Sequence, residues 1–229
     1  MRTVLWDMDG TIADSEEAHF RAWQVALEKY GVSYTFSDFI SGFGRANNDL
    51  IPDILGVEPG AAIVQQISRE KEKTFRRLAH ENGLKPLPGV LNCLELLREH
   101  GIQQVVSSSG PMANIVASVD ILDIGDYFVS LMSGAALPKS KPDPAIFLNS
   151  AAAVVAQPHE CIVVEDSMHG VEGARRGGMG CIAVGKAARS AEMDKIMAAS
   201  PEFACLRVDS LDQVKWEQCE RLWRQAAHR

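Results

Sequence analysis

The chain has 229 residues, of which 46% are hydrophobic, and a formal net charge of −7. That length can bury one large core or two modest ones. The acidic balance argues against a nucleic-acid partner, and no apolar run approaches the ~20 residues of a membrane span.

Residues 2–6 read as a strand, closed by Asp7, Asp9 and a Gly10-Thr11 turn. The chain enters this strand almost at once, with no signal-peptide layout. Asp14 suits a helix N-cap with Glu17 at the third helical position, as in a capping box. His19, Trp23, Ala26, Leu27 and Tyr30 then recur at helical spacing until Gly31. Helix-like pieces continue to about residue 84, broken at Gly42-Phe43-Gly44, Pro52, Gly56 and Pro59-Gly60, with no strand signal among them.

The pattern changes at Pro86-Leu87-Pro88-Gly89. A helix carrying Val90, Leu94 and Leu97 is stopped by Gly101, and a strand over 102–106 leads into Ser107-Ser108-Ser109-Gly110-Pro111. The next helix has Pro111 near its first turn. Strands at 127–132, 161–164 and 181–184 follow, with helices at 144–156 and 171–176 between them. The C-terminal "WEQCERLWRQAAHR" reads as a helix packing Trp216 and Trp223 onto the sheet. This alternation predicts an α/β fold, a Rossmann-like parallel sheet core covered by helices on both faces. The all-helical block is then an insertion after the first strand. The expected boundaries are 1–14 with 87–229 for the core and 15–86 for the insertion. Residues 15–85 hold ten Asp/Glu against nine Lys/Arg, so −6 of the −7 falls on the remainder.

Five cysteines (Cys93, Cys161, Cys181, Cys205, Cys219) are odd in number and form no CxxC pair. They read as buried free thiols of a reducing cytoplasm.

In open α/β sheets, ligands bind at the carboxyl ends of strands. Polar groups gather there in four places: Asp7 and Asp9, Ser107, Lys141 in Ser140-Lys141-Pro142, and Glu165-Asp166-Ser167. Each has an ordinary structural role when taken alone. Asp9 can make a turn, Ser107 or Asp166 can cap a helix, and Lys141 can be a solvated loop lysine. One topology nevertheless brings all of them to one sheet edge.

Asp7-x-Asp9-Gly10-Thr11, Ser107 after an apolar strand, Lys141-Pro142 and Glu165-Asp166-Ser167 resemble the four motifs of the haloacid dehalogenase superfamily. "DGTIADSEEAHFRAW" and "VVEDSMHGVEGARRGGM" resemble its branch with a helical cap, which holds β-phosphoglucomutase and many sugar-phosphate phosphatases. The resemblance implies that Asp7 is a nucleophile forming an aspartyl-phosphate, and that Asp9 is the general acid and base. It implies Mg²⁺ held by the Asp7 carboxylate, the Asp9 backbone carbonyl and Asp166, with Glu165 assisting. Lys141, Ser107 and backbone N–H groups near Met8, Asp9 and Ser108 would bind the phosphoryl group. Cap hinges fall near Ala13-Asp14-Ser15 and Pro86-Leu87-Pro88.

Three cap residues match substrate-facing positions of the branch: His19, Arg45 after Gly42-Phe43-Gly44, and Lys71 four residues before Phe75. A packed histidine and a solvated helix-face lysine are the competing readings for His19 and Lys71. In β-phosphoglucomutase a lysine and an asparagine after the second-motif serine grip a second phosphate. This chain has Gly110-Pro111 there, without a charged side chain or side-chain donor. The expectation is therefore a Mg²⁺-dependent phosphatase of a small phosphorylated sugar or polyol, monomeric by default. A phosphosugar mutase is the first alternative, and a non-catalytic binding protein of the same fold is the second.

Overall fold

The computed structural model describes residues 2–42 and 45–227. The chain begins with β1 (Thr3–Trp6), β2 (Ala13–Asp14), α1 (Glu16–Glu28), α2 (Phe36–Gly42), α3 (Asn47–Leu55) and α4 (Ala62–Asn82). It continues through β3 (Lys85–Pro86), α5 (Val90–Glu99), β4 (Gln103–Ser108), α6 (Met112–Ile121), β5 (Ser130–Ser133) and α7 (Ala145–Ala153). The last elements are β6 (Cys161–Glu165), α8 (Met168–Arg176), β7 (Gly180–Val184), α9 (Ala191–Ala199), β8 (Cys205–Val208) and α10 (Trp216–Ala227).

Six strands form a sheet in the order β5-β4-β1-β6-β7-β8, and every pairing is parallel. β1 is central, with Leu5 opposite Val105 on one side and Val163 on the other. Chain order reverses at β1, so its carboxyl end lies at the switch point where α/β sheets bind ligands. Successive strand residues bury opposite faces. Val4, Trp6, Val106, Ile162 and Val164 pack with Val90, Leu94 and Leu97 of α5 and Leu222 and Trp223 of α10. Leu5, Val105, Cys161 and Val163 pack on the other face with Phe147 of α7 and Val171 and Ala174 of α8. Burial on both faces explains why these strands read as unbroken apolar runs.

The helices α1 to α4 have an apolar cluster of their own, built on Phe20, Trp23, Leu27, Phe39, Ile51 and Ile67. A smaller cluster of Ala22, Phe75 and Ala79 takes Ile121 from α6 and ties the insert to the sheet layer. The chain enters and leaves the insert through a two-residue antiparallel ribbon, in which Ala13 pairs with Pro86 and Asp14 with Lys85. No described helix is long and apolar enough to cross a membrane. All five cysteines are free, four of them buried.

The structure departs from the sequence expectations in several places. Asp14 is a ribbon residue and not a helix cap; Ser15 occupies the N-cap position of α1 and makes no cap bond with its side chain. The strand expected over 102–106 runs on to Ser108. The segment 127–132 begins as a 3₁₀ turn, and only Ser130–Ser133 pairs with β4. β8 and α9 carry no clear sequence signal. β8 is an edge strand with Arg207 facing outward, so it lacks the apolar run of the central strands. Of the Gly42-Phe43-Gly44 break, Gly42 ends α2, and Phe43 and Gly44 lie outside the described residues. Trp223 is buried and donates Nε1–H to the Glu160 carbonyl, as a packed C-terminal helix requires, while Trp216 stacks on His100. His228 and Arg229 lie outside the described residues.

Candidate active site

Asp7 leaves the end of β1 and Glu165 ends β6, one strand away. Lys141, from the loop before α7, reaches both: its Nζ donates to Asp7 Oδ1 at 2.5 Å and to Glu165 Oε1 at 2.6 Å. The second oxygen of Glu165 accepts from the Ser167 backbone N–H and hydroxyl. Ser167 is also the N-cap of α8, accepting from Gly170 N, so the cap belongs to Ser167 and Asp166 is left free for the cleft. Asp166 accepts from the Thr11 hydroxyl at 3.1 Å.

Two glycines make room for these carboxylates. A Cβ on Gly10 would sit 2.4 Å from Asp166 Oδ2, and Gly10 has a φ of +85° that disfavours side chains. A Cβ on Gly170 would sit 1.9 Å from the Glu165 carboxyl carbon. Gly→Ala within a helix ordinarily stabilises by up to ~1 kcal/mol. Gly170→Ala is expected to do the opposite, lowering the melting temperature by roughly 3–10 °C for an overpacking cost of about 1–3 kcal/mol. A melting temperature at or above wild type would show that Glu165 is not held against α8.

One carboxylate oxygen from each of Asp7, Glu165 and Asp166 lies within 4.8 Å of the others. Three acids therefore share one ammonium. Burial raises the pKa of Asp7 well above the ordinary value; Lys141 opposes this, while Glu165 and Asp166 add to it. Burial and then Glu165 push Asp166 up to about 7. The donor set consists of hard oxygens with surplus negative charge, which fits Mg²⁺ or another hard divalent cation. Asp7, Glu165 and Asp166 are the carboxylates whose oxygens lie close enough together to hold it. Glu165 belongs to the same three-acid group and lines the same cleft, while its two oxygens also accept from Lys141 and Ser167.

Asp9 has different neighbours although it is only two residues away. Its Oδ1 accepts from the Ser15 hydroxyl at 2.7 Å and lies 3.1 Å from His19 Nε2. Burial raises its pKa, but His19 and the Ser15 bond outweigh that and bring it down to about 2. Lys71 Nζ is 2.9 Å from His19 Nδ1. An ammonium can only donate there, so Nε2 carries the ring proton and donates to Asp9. The His19 ring also stacks on Phe75, with centroids 3.9 Å apart. Packing and a polar contact thus coexist at this histidine.

Strand alternation separates the adjacent serines. Ser107 lies on the Val105 face, and its hydroxyl donates to Ser150 Oγ of α7 at 2.8 Å. That directs it away from the cleft, contrary to its expected phosphate role. Ser108 lies on the opposite face and lines the cleft with Ser109, Gly110 and Pro111. A one-residue slip in reading a strand exchanges its faces. Arg45 lines the cleft, but its guanidinium donates to Asp53 Oδ2 at 2.5 Å and to the Asp49 carbonyl at 3.2 Å. Lys71 is only 4% exposed, which removes the solvated-helix reading.

Sequence reasoning missed Glu72, Asn47 and Asn114, which line the same cleft of about 280 Å³. A signal for Glu72 existed. Lys71 and Glu72 lie on the helical stripe of Val64, Ile67, Phe75 and Ala79, all buried.

A parallel sheet with paired acids and a lysine at its switch point, closed over by a helical insert, defines an α/β protein equipped to hold a cation beside an anion. Residues 4–184 match the family model described as haloacid dehalogenase-like hydrolase, and the chain belongs to that family. It is 29% identical over 183 residues to a phosphorylated carbohydrates phosphatase of Thermotoga maritima, covering 78% of this chain and 82% of the relative. It is 28% identical over 228 residues to a β-phosphoglucomutase of Bacillus subtilis, covering 95% and 96%. A crystal structure of β-phosphoglucomutase from Clostridium difficile has the same fold, with a TM-score of 0.82 at 24% identity and 100% coverage of both chains.

Proposed function

We propose that the protein is a Mg²⁺-dependent phosphatase of a small phosphorylated sugar or polyol. The reading rests chiefly on the different surroundings of Asp7 and Asp9: one acid sits with Lys141 in a cation-fitting cluster, the other in a hydrogen-bonded niche of the insert. Two carboxylates with separate environments can take separate roles. The names of the phosphatase and mutase relatives point the same way.

In this reading an Asp7 oxygen attacks phosphorus, and the bond to the leaving oxygen breaks as Asp9 donates a proton to it. Water then attacks the aspartyl-phosphate, losing its proton to Asp9 and releasing phosphate with Asp7 restored. Mg²⁺, when bound, supplies the positive charge that keeps Asp7 ionised and offsets the phosphoryl oxygens. The arriving phosphate anion raises the proton affinity of Asp9, offsetting the depression caused by His19 and Ser15. Lys141 stabilises charge developing on the transferred group. Ser108, in place of Ser107, is the hydroxyl available to a phosphoryl oxygen. The insert acts as a cap that excludes water, swinging on the β2–β3 ribbon. The buried free thiols suit a cytoplasmic location.

Phosphatase is preferred over mutase because Gly110-Pro111 offers no side-chain grip, while Lys71 and Arg45 are already paired with Glu72 and Asp53. The near full-length match to a β-phosphoglucomutase keeps the mutase as the second reading. Incubation with β-glucose 1-phosphate, catalytic bisphosphate and Mg²⁺ separates them. Phosphate release faster than glucose 6-phosphate formation is expected, and the reverse order overturns the preference. A panel of phosphorylated metabolites assayed with and without EDTA tests the activity itself.

The metal assignment has its own measurement. Mg²⁺ at about 100 times its Kd is expected to raise the melting temperature by about 5–10 °C, from a linkage term of ~2.7 kcal/mol. EDTA should reverse the shift. A melting curve indifferent to both would sink the cation site.

A further inference from the structure

The buried carboxylate of Glu72 has no part in the chemistry above, yet it is one of the most heavily bonded side chains in the cleft wall. Oε1 accepts from Lys71 Nζ at 3.0 Å and from Asn47 Nδ2 of α3 at 2.7 Å. Oε2 accepts from Asn114 Nδ2 of α6, whose Oδ1 in turn accepts from Arg76 at 2.7 Å. Glu72 is 7% exposed and braced from both the insert and the sheet layer. The Lys71 ammonium divides its bonds between Glu72 and His19, over the rings of Trp23 and Phe75.

Among the described residues lining the cleft, the lysines and arginines are Arg45, Lys71 and Lys141. Each already faces a carboxylate: Asp53, Glu72, and Asp7 with Glu165. Beyond Lys141, a second anionic group entering the cleft would meet one buried cation, Lys71, held by buried Glu72, whereas the Arg45–Asp53 pair lies at the exposed rim. It would also give up hydration beside a wall whose charges are already balanced by the Lys71–Glu72 pair. Neutral side chains also line that wall: Gln65, which donates to Asn48, and Ser68, whose hydroxyl accepts from Asn47 and keeps its own proton to donate. Such groups suit hydroxyls.

From this arrangement, and resting on the phosphatase reading, the geometry points to Glu72 as a specificity residue. By holding Lys71 it makes the insert wall accept an uncharged, hydroxyl-bearing end and reject a second phosphate. The substrate class is then a sugar or polyol monophosphate.

The test uses the full chain with Mg²⁺ and a matched pair of esters, fructose 1-phosphate and fructose 1,6-bisphosphate. Phosphate release from the 1-position is followed by product analysis. Wild type is expected to favour the monophosphate in kcat/KM by roughly 100-fold, the scale of desolvating a charge without a partner. Glu72→Gln frees the Lys71 charge and should narrow the ratio to about tenfold or less, mainly by improving the bisphosphate. If that variant does not fold, E72A gives the same readout. Equal kcat/KM values in wild type, or a ratio unchanged by the substitution, overturn the assignment. So does turnover of p-nitrophenyl phosphate with neither sugar ester accepted. Failure to hydrolyse even p-nitrophenyl phosphate would instead remove the phosphatase reading, and this inference with it.

Discussion

Asp7→Asn is expected to lower Mg²⁺-dependent hydrolysis of p-nitrophenyl phosphate by roughly 10⁴-fold or more, because the covalent route is lost with the nucleophile. The amide oxygen is a far weaker nucleophile than a carboxylate. Its NH₂ group adds a donor at a place where the Lys141 ammonium already donates at 2.5 Å. The fold should survive, since Glu165 still accepts from Lys141 and Asp7 is one of three crowded acids. A melting temperature within a few degrees of wild type, together with lost turnover, is the diagnostic pair. Turnover near the wild-type rate would remove Asp7 as nucleophile.

Lys141→Met probes the same cluster from its positive side, and its main effect is on stability. The lysine is buried, and the charges and hydrogen bonds of Asp7 and Glu165 outweigh the burial that would otherwise lower its pKa, so its pKa is raised. Removing it leaves Asp7, Glu165 and Asp166 clustered without their ammonium. Removing one partner from a buried pair costs roughly 3–5 kcal/mol, which for a chain of this size is a fall of about 6–20 °C in melting temperature. Activity should fall by about 10²–10³-fold, the scale of losing one donor to transition-state charge. Added Mg²⁺ should restore more melting temperature to the variant than it adds to wild type, since a dication supplies part of the missing charge. A variant as stable as wild type without metal would show that the acids do not depend on Lys141.

Both substitutions fall on residues legible in the sequence. An apolar run ending in Asp7-x-Asp9 and a second ending in Glu165-Asp166 are local patterns, and alternation of strands with helices predicts that they share a sheet edge. Lys141 was legible for the same reason, through its place in a loop between a strand and a helix. The serines were harder. Ser107 and Ser108 are chemically identical, and only the extension of β4 to Ser108 against β5 determines which one faces α7. The cap of α1 is not legible locally, because Asp14 has the right chemistry for capping while its pairing with Lys85 across the ribbon is a contact about seventy residues away.

The insert shows the same limit. Lys71 and Glu72 sit in a run of charges that reads as a wet helix face, although they fall on the apolar stripe of α4. What makes them interior is the arrival of α1, α3 and α6 around them, bringing His19, Asn47 and Asn114. Arg45 sits in the position expected of an anion-binding arginine, but Asp53, one turn along the insert from Asp49, has its guanidinium.

By itself the sequence determined the parallel sheet, the insertion after its first strand, and the acids and lysine at the strand ends, because apolar periodicity, turn residues and chain order are local properties. Only the tertiary structure decided which serine enters the cleft, that Asp7 and Glu165 together hold Lys141, and that every lysine and arginine lining the cleft among the described residues already faces a carboxylate. Those outcomes depend on which face of an element a distant segment covers, and on which of several nearby acids reaches a cation first. That information arises when the elements pack.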